Sequence, residues 1–208
     1  LPYGPGDGIK GLKKNQEYIM ETRKQVGPDY RLMIDCYMAL DVPYTIDLTN
    51  AVKEADLYWI EEALPPHDLE SHKHIKQACP WQKFATGEHT NTRYGFRKII
   101  EDRSVDILQP DLTLCGMTET LRIAAMASAY DLTVIPHCSG VYAYNFGISS
   151  TVTPFNEFIN LHPTAEKIVP IFGGIFTNEP VPINGEVTLT DLPGFGAEFN
   201  DEVELEEI

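Results

Sequence analysis

The sequence predicts an α/β fold, a (β/α)8-type TIM barrel that is N-terminally incomplete and shows about six strands, on three observations. Short apolar runs alternate with helix-like segments of the length a parallel crossover needs. Each run ends in a polar, chemistry-bearing side chain. The glycine-rich phosphate loop of an open doubly wound sheet is absent.

The first element is a helix over 9–27, "IKGLKKNQEYIMETRKQVG", with Ile9, Leu12, Ile19 and Val26 on one face and Gly27 as its stop. Strands are then predicted at "YRLMID" (30–35), "LYWIE" (57–61), "KFATGE" (83–88), "VDILQPD" (105–111), "LTVIPH" (132–137) and "TPFNEF" (153–158). Helices are predicted between them at "TIDLTNAVKEA", "LESHKHIKQA", "NTRYGFRKIIED", "MTETLRIAAMASAYD" and, after the fifth strand, "VYAYNFGISS". The barrel is expected to fill 1–184. Residues 185–208 lose the βα rhythm and read as a strand and loop leaving the barrel, with an acidic end.

The six polar ends are Asp35, Glu61, Glu88, Asp111, His137 and Glu157, spaced 20 to 27 residues apart, one per βα unit. Barrel closure brings the C-terminal ends of all strands to one mouth, so these side chains are expected to meet there. Asp35, Glu61 and Glu88 are three carboxylates on successive strands. Converging anions repel, and a hard divalent cation, Mg²⁺, resolves the repulsion with oxygen ligands. Asp111 and His137 end neighbouring strands; an Asp that engages one imidazole nitrogen fixes the tautomer and raises the basicity of the other. Glu157 could exchange a proton or hydrogen bond at the same centre. The competing reading gives each acid a helix to cap or an ion pair to make. His67, His72 and His74 are expected to be packed or solvated.

The net charge of −15 argues against a basic face for nucleic acid or anionic membranes. There is neither a long apolar run nor a recognisable signal peptide, and the four cysteines form no CxxC. A cytoplasmic, reducing setting and a homo-oligomer are therefore expected. The chain opens on "LPYGPGDG" without an initiator Met and reads as a fragment.

The ordered strings "LMIDCY", "WIEEALPPHD", "ATGEHT", "ILQPDLTLCGMTE", "VIPHCSG" and "LPGFGAEF" together resemble the enolase superfamily in its mandelate-racemase-like subgroup. The resemblance implies that Asp35, Glu61 and Glu88 hold Mg²⁺, with Glu62 a second, non-ligating acid. It makes His137 and Asp111 the catalytic dyad, His89 a substrate-contacting residue, and Glu157 a hydrogen-bond partner of the substrate carboxylate. It further implies an acid-sugar dehydratase working through an enediolate, and an N-terminal capping domain toward which residues 185–208 would pack. A racemase or epimerase sharing that intermediate and a catalytically idle barrel are the alternatives.

Overall fold

The computed structural model describes residues 1–138 and 140–203. Five strands, β1 (Leu32–Asp35), β2 (Leu57–Glu61), β3 (Phe84–Thr86), β4 (Ile107–Leu108) and β5 (Thr133–Val134), form one parallel sheet in the order of the chain. Seven α-helices are described: α1 (Gly8–Val26), α2 (Val42–Ala51), α3 (Leu69–Ala78), α4 (Thr92–Asp102), α5 (Leu112–Cys115), α6 (Met117–Ser128) and α7 (Val141–Ser149). Sequential, all-parallel strand order with a helical crossover after each strand is the βα barrel pattern. None of the described helices is long and apolar enough to cross a membrane.

Local chemistry explains the boundaries. The Asp41 carboxylate accepts from Tyr44 N at 2.9 Å and Pro43 sits in the first turn, so α2 begins there. Asp68 accepts from Ser71 N at 3.2 Å and opens α3. Gly27, with φ +80°, ends α1 as the sequence predicts. The buried stripe of α1 differs from expectation: Leu12 and Ile19 are buried, but Ile9 and Val26 are exposed and Asn15 lies between the buried pair. That burial is stable because Asn15 Nδ2 donates to Tyr3 O and to the Tyr44 hydroxyl.

Two predictions fail. The segment 153–158 is not a strand, because Pro154 has no N–H to give a ladder; it lies against the sheet through Val134 N donating to Val152 O at 3.1 Å and through Phe155 stacked on Trp59. The tail forms no strand over 185–203 either. Its contacts are single antiparallel bridges, Phe176 with Phe199 and Ile183 with Glu186, and it folds back so that Phe195 meets Tyr142 of α7 edge-on at 4.8 Å. Residues 204–208, the acidic end, lie outside the described residues.

The sheet has two unlike faces. Ile34, Ile60, Phe84, Leu108 and Val134 pack outward against helical residues such as Leu48, Ile75, Phe96, Ile99, Ile123 and Phe146. Inward, Trp59, Ala85, Ile107 and Ile135 form a small apolar layer joined by Met33 and Phe155. Side chains two residues apart share a face of a strand. One step toward the C-terminal ends, the residues following this layer are therefore Asp35, Glu61, Gly87, Gln109 and His137.

Candidate active site at the strand ends

The inward row converts an apolar floor into a polar mouth. Asp35 pairs in register with Glu61 across β1 and β2. The ladder continues past β4 and β5 through Ile135 N to Leu108 O and His137 N to Pro110 O, which sets Asp111 beside His137 in a parallel bridge. The sequence predicts a strand over 105–111, but Pro110, with no N–H to give the ladder, ends β4 short of Asp111, which instead caps the short helix α5.

Asp111 does both things that the sequence left in competition. Its Oδ1 accepts from the backbone N–H groups of Thr113 and Leu114, and its Oδ2 lies 3.0 Å from His137 Nδ1. The other ring nitrogen, Nε2, is 3.2 Å from Glu88 Oε2. Burial opposes the charged imidazole, but the Asp111 hydrogen bond and the charges of Glu88 and Glu157 outweigh it and push His137 up to about 9. Burial also raises Asp111, and its hydrogen bonds with His137 and Thr113 overcome that and hold it below the usual range.

Glu61 is pushed up to about 7, first by burial, with the nearby charges of Glu157 and Asp35 adding to it and hydrogen bonds from Gln109 and Trp59 opposing it. Trp59 Nε1 rises from the apolar floor to donate to Glu61 Oε2 at 2.9 Å. Glu157 is raised by burial too, although His137 and the N–H of Cys138, which donates to its Oε2 at 2.7 Å, pull the other way. Glu157 thus faces His137 and Glu88 although it stands on no strand.

Glu62 is fully buried in a left-handed turn with φ +40°. It accepts from Thr86 Oγ1 at 3.3 Å and meets His89 Nδ1 at 2.9 Å. His89 also lies 3.4 Å from Glu88 Oε1. Among the described residues, Glu62, Glu88 and His89 bring one ligand atom each to within 4.8 Å of one another. Asp35 and Glu61 face the same interior but are not in that tight group. Like charges do not close on each other unaided, and Glu88 turns to the two imidazoles instead. The oxygen-rich set Asp35, Glu61 and Glu88 could nonetheless hold a hard cation, whose charge would relieve the crowding that raises Glu61. His72 is buried with Nε2 3.3 Å from Pro65 O and stands apart from this constellation, whereas His67 and His74 are exposed.

Two members of the inward row carry no expectation from the sequence. Gln109 sits inside an apolar run, and Gly87 leaves no side chain to notice. The signal that finds them is the two-residue step from Ile107 and Ala85, which requires the register to be known.

The model of the family described as enolase C-terminal domain-like matches residues 4–203. An L-rhamnonate dehydratase of Saccharopolyspora erythraea is 46% identical over 207 residues, covering 99% of this chain and 53% of the relative. The crystal structure of L-rhamnonate dehydratase from Gibberella zeae superposes with a TM-score of 0.92 at 47% identity, over 97% of this chain and 52% of that one. A second Gibberella zeae structure, rhamnonate dehydratase complexed with Mg, gives a TM-score of 0.90 at 47% identity, over 97% of this chain and 50% of that one. The chain spans about half the length of these relatives.

Proposed function

The chain belongs to the enolase C-terminal domain-like family, and from that premise we propose that the whole protein is a Mg²⁺-dependent hydro-lyase converting L-rhamnonate to its 2-keto-3-deoxy acid. The observation that carries the reading is His137, held at one nitrogen by Asp111 and presenting the other to the mouth beside Glu88. The relatives named above supply the substrate and the cation.

The chemical difficulty is that a proton next to a carboxylate is very weakly acidic, and removing it adds negative charge to the carboxylate. Asp35, Glu61 and Glu88 would hold Mg²⁺, which would supply charge neutralisation for that carboxylate. His137 Nε2, in its neutral form, takes the α-proton, and Asp111 stabilises the imidazolium through Nδ1. The same imidazolium then gives its proton to the departing β-hydroxyl. The α C–H and β C–O bonds break, water leaves, and the enol product tautomerises to the 2-keto acid. Glu157, raised by burial, carries a proton readily and donates a hydrogen bond to the substrate carboxylate. His89, held by Glu62, contacts a substrate hydroxyl.

The same reading assigns residues 1–184 to the barrel and directs 185–208 toward a capping domain, in a cytoplasmic homo-oligomer. The test is formation of 2-keto acid from a panel of sugar acids, with Mg²⁺ present or chelated. Activity on L-rhamnonate that needs Mg²⁺ supports the reading; turnover indifferent to chelation, or no dehydration of any sugar acid, overturns it.

A further inference from the structure

The His89 ring is set by Glu62 at 2.9 Å on one side and by the Tyr37 ring, edge-on at 5.6 Å, on the other. Where its backbone sits depends on the connection 87–91 from β3 to α4, which also carries Glu88. The far end of such a connection is ordinarily fixed by the N-cap side chain of the helix it enters. That device is idle here, because Asn91, the N-cap of α4, makes no side-chain cap hydrogen bond. Thr92, the first residue of α4, has φ +62°, a left-handed conformation that a β-branched residue keeps only where its surroundings impose it.

The missing cap comes from another helix. Glu119, in the first turn of α6, accepts from Arg93 N through Oε1 at 2.8 Å, and Arg93 Nη1 donates to Oε1 at 2.9 Å and to Oε2 at 2.7 Å. Arg122, one turn further along α6, donates to Oε2 at 3.1 Å and steadies the carboxylate. An exposed ion pair alone contributes little. This one differs, because the Glu119 side chain is only 14% exposed and the same carboxylate satisfies a backbone N–H at a helix start. A second tie runs beside it: Cys115, the last residue of α5, donates through Sγ to Thr90 O at 3.8 Å. The helix α5 is the one that Asp111 caps. The β3–α4 connection is thus fastened at Thr90 and at Arg93 to the segment that follows Asp111, and Thr90 N donating to Gly87 O at 2.9 Å closes the turn that holds Glu88 and His89.

We propose that Glu119 is a positioning residue for His89: from α6 it caps α4, holds Thr92 in its left-handed turn, and so fixes where His89 enters the mouth. The inference rests on the reading of His89 as a substrate contact. Glu88 directly follows the strand end at Gly87, whereas His89 lies nearer the clamp, so loss of Glu119 is expected to reach substrate binding before cation binding.

The test is steady-state kinetics of the full-length protein on L-rhamnonate at saturating Mg²⁺, in a double-mutant cycle of Glu119→Ala with His89→Ala. Glu119→Ala is expected to lower kcat/KM by about tenfold or more, chiefly through KM, since small misplacements of a contacting residue cost that much. In the His89→Ala background the same substitution is expected to cost less than about threefold, because the residue it positions is gone. A loss of similar size in both backgrounds is what a merely structural role gives and overturns the inference, as does a Glu119→Ala enzyme within about threefold of wild type. If Glu119→Ala does not fold, Glu119→Asp, which keeps the charge but retracts it by one methylene from Arg93 N, is read by the same criteria. Failure of both to fold makes Glu119 a structural group and also overturns the inference. Hydrogen exchange over 87–93 tells a failure of the cap from a failure of the premise. Exchange unchanged by Glu119→Ala overturns the cap itself; exchange that rises while His89→Ala turns over L-rhamnonate as wild type does overturns the role given to His89.

Discussion

His137 Nε2 stands 3.2 Å from Glu88 Oε2, so the proposed base and a proposed cation ligand are in direct contact. A proton on His137 and a divalent cation on Glu88 are two positive charges competing for one carboxylate. His137 is pushed up to about 9, with Glu88 among the causes, and Glu61 to about 7. Both groups therefore carry protons below these values, and both protons oppose a cation. The sign follows: Mg²⁺ affinity rises as pH increases from 6 through 9, approaching about tenfold per pH unit where one proton leaves for each ion bound. Calorimetry in buffers of different ionisation enthalpy counts those protons. Affinity that stays flat over this range would show that His137 and Glu61 do not compete with the cation.

His137→Asn separates the two roles. Asn cannot carry a proton, so dehydration is expected to fall by about 10²–10⁴-fold or more, one residue serving both proton transfers. Mg²⁺ binding near neutral pH is expected to hold or tighten, since an imidazolium next to Glu88 has been removed. Measuring 2-keto acid production beside Mg²⁺ affinity checks both halves. Retention of more than about a tenth of wild-type turnover is incompatible with the proposed acid–base role.

The strand ends were legible because a parallel strand covered on both faces is apolar until it emerges, and the first polar residue marks the mouth. That rule finds Asp35, Glu61 and Glu88 with no structure at hand. It hides Gln109, since a polar residue one step before Pro110 and Asp111 reads as the frayed end of an apolar run. It also miscounts 153–158, where "TPFNEF" has the composition of a strand but Pro154 denies it a ladder. Glu157 nevertheless faces His137, because the backbone bond from Val134 to Val152, the stacking of Phe155 on Trp59 and the bond from Cys138 N to the Glu157 carboxylate guide the segment past the sheet edge. The inward step of two residues is a property of register, and register is fixed by pairing and not by composition.

Glu62 offers a second, independent check on the network. Its carboxylate is the acceptor for Thr86 Oγ1, which is fully buried, and the partner of His89 Nδ1. Glu62→Leu strands the Thr86 hydroxyl out of reach of water, and a buried group left unpaired costs about 1–3 kcal/mol. Glu62→Gln sheds a buried charge next to Glu88 yet keeps polar atoms toward both partners, so its stability is expected to match or exceed that of wild type. Denaturant unfolding of the two variants in the full-length protein decides the point. If Gln proves as damaging as Leu, the charge of Glu62 and not its hydrogen bonding is what holds the turn.

Gly87→Ala should be the most damaging small substitution at the site, for two reasons that add. The backbone φ of +146° is a conformation L side chains rarely adopt, which costs about 1–3 kcal/mol. The new methyl would also sit 2.8 Å from Gln109 N and 2.9 Å from both Gln109 C and Phe96 Cε1, contacts with backbone and a buried ring that cannot swing aside. Overpacking of this kind adds a further 1–3 kcal/mol or so. The total, about 2–6 kcal/mol, is a large share of the stability of an ordinary domain. The relief available is for the β4 backbone to move away from β3, and that movement displaces Glu88, the residue after Gly87, from the mouth. Thermal unfolding and Mg²⁺ affinity are therefore expected to fall together in Gly87→Ala. A variant that unfolds earlier but binds Mg²⁺ as wild type does would mean that the strand can shift without disturbing the carboxylate, and would separate the packing of β3 from the site it supports.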